Sequence, residues 1–309
     1  MSTGAPTEAQ GLVRFEPFQA SEIDFASIPL PGTPEYADFL CVQVTQAFSM
    51  VRHSPGWKKG KSFSTPTGGS VQCRTLSSGM SGKLGKCAWH LRESKHTKQQ
   101  CGLDYDDFRN TLRYDHPTNE KHYIDAIQQV DLVTTIKEKE TEIWHNSYKL
   151  PIVTADRDFV ELLLTLDLPP HASPFSEEHE QATLSAIRSG DSSADSSGTS
   201  ADASSNRSFL VIQMPVSHPD RPETPPQVRA VYASFEAVWE EPSSESNSGP
   251  DAASPETTES SKTVVWKMAV QSDGRGKIPT MMQEMSMPAN IAHDVPAFIE
   301  WKTKQNSSP

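Results

Sequence analysis

The chain has 309 residues, a formal net charge of −12, 24 prolines, 16 glycines and four cysteines. No run of about eighteen apolar residues occurs, which excludes a helical bilayer span. Cysteines without paired spacing fit reduced thiols better than a disulfide framework. The acidity is local. Between His171 and Asn206 six acids face only Arg188, and residues 240–261 hold six acids and no base, so these two stretches carry nearly all of the net charge. Both are dominated by Ser, Asp, Glu and Pro, and chains of that kind bury too little surface to offset their ordering entropy. The acidic balance therefore implies no cationic substrate. One excess runs the other way: from Lys58 to Lys98 nine basic residues face a single acid, Glu93. Strand edges and loops bearing solubilising lysines account for it better than a lipid-headgroup surface. No helix-turn-helix, aromatic RNP motif or zinc knuckle accompanies it, so no nucleic-acid partner is expected. The opening MSTGAPTEAQ lacks a basic segment followed by an apolar one, so no signal peptide is read and a cytoplasmic location is expected.

In chain order, residues 33–52 predict a helix, because Tyr36, Leu40, Val44, Ala47 and Val51 recur at three and four residues. A short strand is expected near 71–76 and another over 86–96. Two short helices follow, 105–114 with Asp104 as its cap and 118–128 with half a capping box at Thr118. Residues 130–150 predict a hairpin. In 155–168 Val160, Leu162, Leu164, Leu166 and Leu168 share one parity, the period of a strand face. Strands are also expected around 210–216 and over 227–239, where Phe235 lies on the apolar parity and Glu236 on the other, which places Glu236 toward solvent.

Val264, Trp266, Met268 and Val270 alternate in a last strand, and Ser272-Asp273-Gly274-Arg275-Gly276 supplies a turn. A long C-terminal helix then begins near Pro279. It is expected to break near Pro288 and to continue from about 289 to 304 with Ile291, Val295 and Phe298 as its apolar stripe. Six or seven strands without crossover helices, with helices only early and at the end, indicate an α+β domain built on a curved antiparallel sheet.

The order of strand, DGxGxIP-like turn and long final helix resembles the end of START-like (helix-grip) lipid-binding domains. Trp89-His90-Leu91-Arg92-Glu93-Ser94-Lys95-His96 resembles the W-x-x-R-x-S-x-H segment of an uncharacterised fungal branch of that superfamily. Asp107-Phe108, Asp115-His116 with Glu120, Arg157-Asp158-Phe159-Val160 and Asp294-Val295-Pro296-Ala297-Phe298-Ile299-Glu300-Trp301 fit the same branch. The likeness spans residues 85–304. It implies a START-like domain there, preceded by an extension over 1–84 with one amphipathic helix and a short strand. Residues 190–206 and 240–261 would be disordered loop insertions.

The resemblance further implies a hydrophobic cavity between sheet and final helix, and a lipid, sterol or polyketide-like guest. Trp266, Met268, Val270, Met281, Met282, Met285, Ile291, Val295, Phe298, Leu162, Leu164 and Phe235 are the expected wall, with His90 and Arg92 as headgroup contacts. Methionine suits such a wall, because an unbranched thioether adapts to irregular apolar shapes. Arg157 and Asp158 are read as a local ion pair or turn.

Catalytic signatures are weak. No G-x-S-x-G elbow or phosphate loop occurs. Cys87, His90, His96 and Cys101 match no zinc spacing. Asp115 with His116, before Pro117, reads as a helix cap more readily than as an acid/base pair. The expectation is a monomeric binding module without cofactor, metal or catalytic residue, which sequesters or transfers a hydrophobic small molecule and touches membrane surfaces transiently. Two alternatives stand beside it: an enzyme acting on a polyketide-like or aromatic substrate in the same cavity, and an interaction scaffold with phosphorylatable loops.

Overall fold

A computed structural model describes residues 23–77, 87–149, 155–190, 205–243 and 262–307. The expected insertions fall mostly outside these residues. The N-terminal half runs β1 (Ile23–Asp24), α1 (Pro34–His53), β2 (Lys58–Ser64), β3 (Ser70–Leu76), β4 (Trp89–Thr97), α2 (Lys98–Cys101), α3 (Tyr105–Phe108), a π-helical turn (Arg109–Arg113) and α4 (His116–Glu120). Next come β5 (Ile127–Lys137), β6 (Thr141–Tyr148), β7 (Arg157–His171), α5 (Glu177–Ser189) and β8 (Asn206–Ser217). The chain closes with β9 (Val228–Arg229), β10 (Val231–Pro242), β11 (Lys262–Asp273) and α6 (Thr280–Ser307).

Among the described residues nine strands form one path, β2-β3-β4-β11-β10-β8-β7-β6-β5, and the two-residue β1 and β9 pair with β8 and β7. Every neighbouring pair along the path is antiparallel. The α+β class and the sheet closed by a C-terminal helix are as expected, with more strands than the six or seven read from sequence. β2 escaped notice because its residues, KKGKSFS, are almost wholly exposed and show no apolar alternation. It is an edge strand, and Lys58, Lys59 and Lys61 lie along it. Since β2 and β3 join the same sheet and α1 packs against it, residues before 85 contribute to the same core.

The sheet separates two apolar layers. On its outer face, Leu162, Leu164, Leu210, Ile212, Met214, Phe235 and Ala237 pack with Tyr36, Leu40, Val44, Ala47 and Phe48 of α1 and Leu184 of α5. On its inner face, Val264, Trp266, Val238, Val211, Phe209 and Leu163 pack with Phe108, Leu112 and Tyr123 and with Val295, Phe298 and Ile299 of α6. Register enforces the division: Val264, Trp266, Met268 and Val270 oppose His96, Ser94, Arg92 and His90, and side chains directly opposite each other share a face.

Thr33 caps α1, its hydroxyl accepting from Tyr36 N at 3.2 Å, and Pro34 pre-sets the first helical φ. The helix α5 was not anticipated, although its signals are ordinary. Ser176 accepts from His179 N at 3.2 Å, Glu177, Glu178 and Glu180 occupy the first turn, and Gly190 ends it at φ +69°. The acidic Ser-rich neighbourhood masked them.

α6 corrects an expectation. It runs unbroken through Pro288 and Pro296. Its N-terminal part is tethered rather than bent away: Glu284 accepts from Ala88 N at 3.2 Å and lies 2.9 Å from His90 Nε2. Gln283 holds the preceding turn, accepting from Gly274 N at 2.9 Å and donating to Ser272 O at 2.6 Å. Arg157 reaches the same turn and donates to Gly274 O at 2.5 Å and Arg275 O at 3.1 Å. Gly276 there has φ +64° and sits where a Cβ would lie 3.2 Å from Arg157 Nη2.

Candidate functional site

The inner face of the sheet is not an ordinary core. Arg92, Ser94 and His96 of β4, Glu236 of β10, Gln213 of β8, Glu161 of β7 and Asn146 of β6 are all buried. Their strand registers place them on the face that Trp266 occupies. Between them stands an aromatic row. Tyr148 and Phe159 meet at 5.2 Å between ring centroids, and Phe159 and Tyr232 at 5.3 Å. These three rings and Met268 are only half-buried.

Arg92 is 1 % exposed and stacks over the Trp266 ring at 3.8 Å. Its Nε and Nη1 have no hydrogen-bond partner among the described residues. Donors in that state are rare in folded proteins, because an unsatisfied buried polar group keeps its full desolvation cost. Arg92 also lies close enough to His96 to help lower that imidazole to about 4, after burial, which is the larger cause.

A short stretch before β5 delivers the acid-rich end of this face. Asp104 opens α3 with a full capping box, donated to by Asp106 N and Asp107 N, while Asp107 accepts from Asp104 N at 3.0 Å. Arg109 and Arg113 of the π turn both grip Asp167 of β7, at 2.7 and 2.8 Å. The carbonyls that the π turn frees are taken by α4. Asn119 Nδ2 donates to Thr111 O and Tyr114 O at 2.9 Å, and His116 Nδ1 donates to Leu112 O at 2.6 Å. Asp115, expected as a cap, makes no side-chain cap bond and adopts φ 50°. The helix starts at His116, not at Thr118. His116 itself is buried and faces inward.

Nε2 of His116 lies 3.3 Å from Glu120 Oε1 and 3.9 Å from Glu236 Oε1, with hydrogen-bond geometry to neither. Burial alone would lower its pKa, but Glu120 first, and then Glu236, raise it to about 9. Glu236 is held from its other side by Trp266 Nε1, which donates to Oε2 at 2.6 Å. Glu161 accepts from Tyr232 Oη at 2.8 Å and Asn146 Nδ2 at 3.1 Å, and burial pushes its carboxyl well above the usual range. Asp294 of α6 joins them. Its carboxyl is pushed up to about 7 by burial, against the pull of Arg92, with Glu120 and Glu236 adding.

The expected wall divides accordingly. Trp266, Val295 and Phe298 meet in the inner layer, where Trp266 and Phe298 touch at 5.2 Å. Met268, Val270, His90 and Arg92 share that face by register, and Ile291 is buried on α6. Leu162, Leu164 and Phe235 belong to the outer layer against α1 and α5. The longest apolar parity of those strands faces the packed core, so their polar parity is the inward one. For the same reason Glu236, expected in solvent, is buried inside. Met281, Met282 and Met285 lie on the outside of α6, 70 %, 62 % and 75 % exposed. Asp158 pairs with Arg229 at 2.8 Å and His145 at 3.1 Å, not with Arg157.

A family profile described as "Protein of unknown function (DUF3074)" matches residues 89–302. The chain belongs to the DUF3074 family. No curated protein matches its sequence. Among solved structures, human StAR-related lipid transfer protein 5 resembles the DUF3074 chain with a TM-score of 0.55 at 12 % identity, covering 89 % of this chain and 100 % of that one. Human STARD10 gives 0.50 at 15 % identity, over 84 % and 83 %. These likenesses establish the START helix-grip fold for the DUF3074 chain, as the sequence resemblance implied. Among the described residues no helix is long and apolar enough to cross a membrane.

Proposed function

We propose that this chain binds a hydrophobic small molecule of the lipid or sterol class between the inner face of its sheet and α6. One observation carries the reading: the buried guanidinium of Arg92, with two partnerless donors, set on a face walled by Trp266, Met268, Tyr148, Phe159 and Tyr232. An apolar wall with a few convergent polar groups is the usual make-up of a small-molecule site. A guest with an oxygen at its polar end would satisfy Arg92 while its body covers the rings. Human StAR-related lipid transfer protein 5 has lipid transfer in its name, and a shared fold supports the same class of guest here. For transfer, Met281, Met282 and Met285 offer an exposed apolar contact to a bilayer surface at the start of α6.

The test uses the full chain, phosphatidylcholine vesicles carrying a fluorescent sterol or a fluorescent fatty acid, and energy transfer from tryptophan. Saturable uptake is expected. Arg92→Met should weaken it roughly ten- to a hundredfold, the range for a hydrogen bond to a charged group. No uptake of either probe, together with no organic molecule in a solvent extract of the purified protein, would overturn the reading.

A further inference from the structure

We propose that His116, Glu120 and Glu236 form a binding site for a divalent first-row transition metal, zinc in the first instance. The ligand atoms of the three side chains all lie within 4.8 Å of one another. Nε2 of His116 stands 3.3 Å from Glu120 Oε1 and 3.9 Å from Glu236 Oε1. Zinc bonds of about 2.0–2.2 Å in a tetrahedral arrangement call for donor separations of roughly 3.3–3.6 Å. The His116–Glu120 separation falls in that range, and a side-chain adjustment that brings Glu236 Oε1 inward would complete it.

Orientation is the second argument. An imidazole that binds a metal through one nitrogen donates its other N–H to a fixed acceptor, which sets the tautomer. His116 does this with the Leu112 carbonyl at 2.6 Å, leaving Nε2 facing the carboxylates, ion-paired with Glu120 but without a hydrogen bond, in a residue 1 % exposed. Glu236 is oriented in the same way. Trp266 Nε1 occupies Oε2 at 2.6 Å, and Oε1 is the oxygen turned toward His116. His116 and Glu120 are four residues apart in α4, so one helical turn presents both.

The donor set selects the metal. One imidazole with two carboxylates suits zinc, manganese or iron, whereas calcium and magnesium prefer oxygen alone. Three protein ligands leave a coordination position for water or for an oxygen of a guest. The local charge agrees, since Asp294 lies close enough to Glu120 and Glu236 to feel both carboxylates. Arg92, stacked on Trp266, is a cation on the same face. The inference does not rest on a lipid guest, and it can be tested on delipidated protein.

The full chain, stripped with EDTA and exchanged into metal-free buffer, is titrated with zinc by calorimetry and with cobalt by visible absorption. One equivalent is expected to bind, with a cobalt spectrum of nitrogen and oxygen ligation and no thiolate charge-transfer band. His116→Gln and Glu236→Gln should abolish that equivalent, and Glu120→Gln should weaken it. Trp266→Phe should weaken it about tenfold or more while leaving the stoichiometry at one, as loss of an orienting partner does. Circular dichroism identifies any variant that fails to fold. Glu120 is on a half-buried helix surface, so its variant keeps the test alive if the buried ones unfold. Absence of binding at micromolar zinc in the wild type overturns the proposal. So does an equivalent that survives unchanged in the folded variants.

Discussion

The two faces of the sheet are built on opposite plans. The outer face is rich in Leu, Ile and Val and packed against two helices, and its buried charges sit in ion pairs: Asp158 with Arg229 and His145, and Lys267 with Glu93 at 2.9 Å and with the Ser54 hydroxyl at 2.9 Å. The inner face is aromatic and ionisable, and its groups at Arg92 and His116 are left with unused hydrogen-bonding atoms. A core has no reason to keep such groups, because replacing a buried ion by a hydrophobe of similar volume is often neutral or stabilising. Both faces carry a buried apolar layer, but among the described residues the inner one alone combines it with an unpartnered buried guanidinium.

The largest effect should come from the outer face. Phe235→Ala should destabilise by about 3–5 kcal/mol through lost burial and a residual cavity, read from the urea midpoint. A loss under about 1 kcal/mol would break the comparison, since it would show that layer to be loosely packed. Next is Asp158→Asn, which leaves Arg229 buried beside a neutral amide and should cost about 3 kcal/mol at neutral pH. Burial opposes the ionised form of Asp158, but hydrogen bonds from His145 and Arg229 prevail and lower its pKa from 3.8 to about 2. A group depressed in this way adds stability above pH 4 that is lost as pH falls toward 2. The variant's thermal midpoint should accordingly lose part of the wild type's fall across that window. An identical acid profile would remove Asp158 from the account.

The smallest effect should come from the inner face. Tyr232→Phe deletes only the 2.8 Å bond to Glu161 and should cost about 1 kcal/mol in a urea titration. A cost as large as that of Phe235→Ala would make the inner face structural as well, and would sharpen the division into one of degree.

Much of the fold could be read from sequence because strand alternation and the terminal helix are repeated signals. Trp266 beside Met268, and Val295 beside Phe298, were placed together from periodicity and family likeness. Periodicity gives two faces but not which is inward. An apolar cavity wall points to the leucine-rich parity of β7 as its lining, yet α1 and α5 cover that parity. Glu161 and Glu236 were visible as acids within strands, and with α5 recognised their inward side would have followed. The His116 cluster was harder to find. Glu236 lies in β10, 116 residues further along the chain than Glu120, and only the sheet register and the π turn bring the two together.

The three methionines on the outside of α6 have a chemical consequence. Among the described residues, thioethers so open to solvent are the first that a mild peroxide would reach, and each would gain one oxygen. The sulfoxides would stand in water and leave both packed layers untouched, so the modified protein should melt where the original does while the leading turns of the helix become polar.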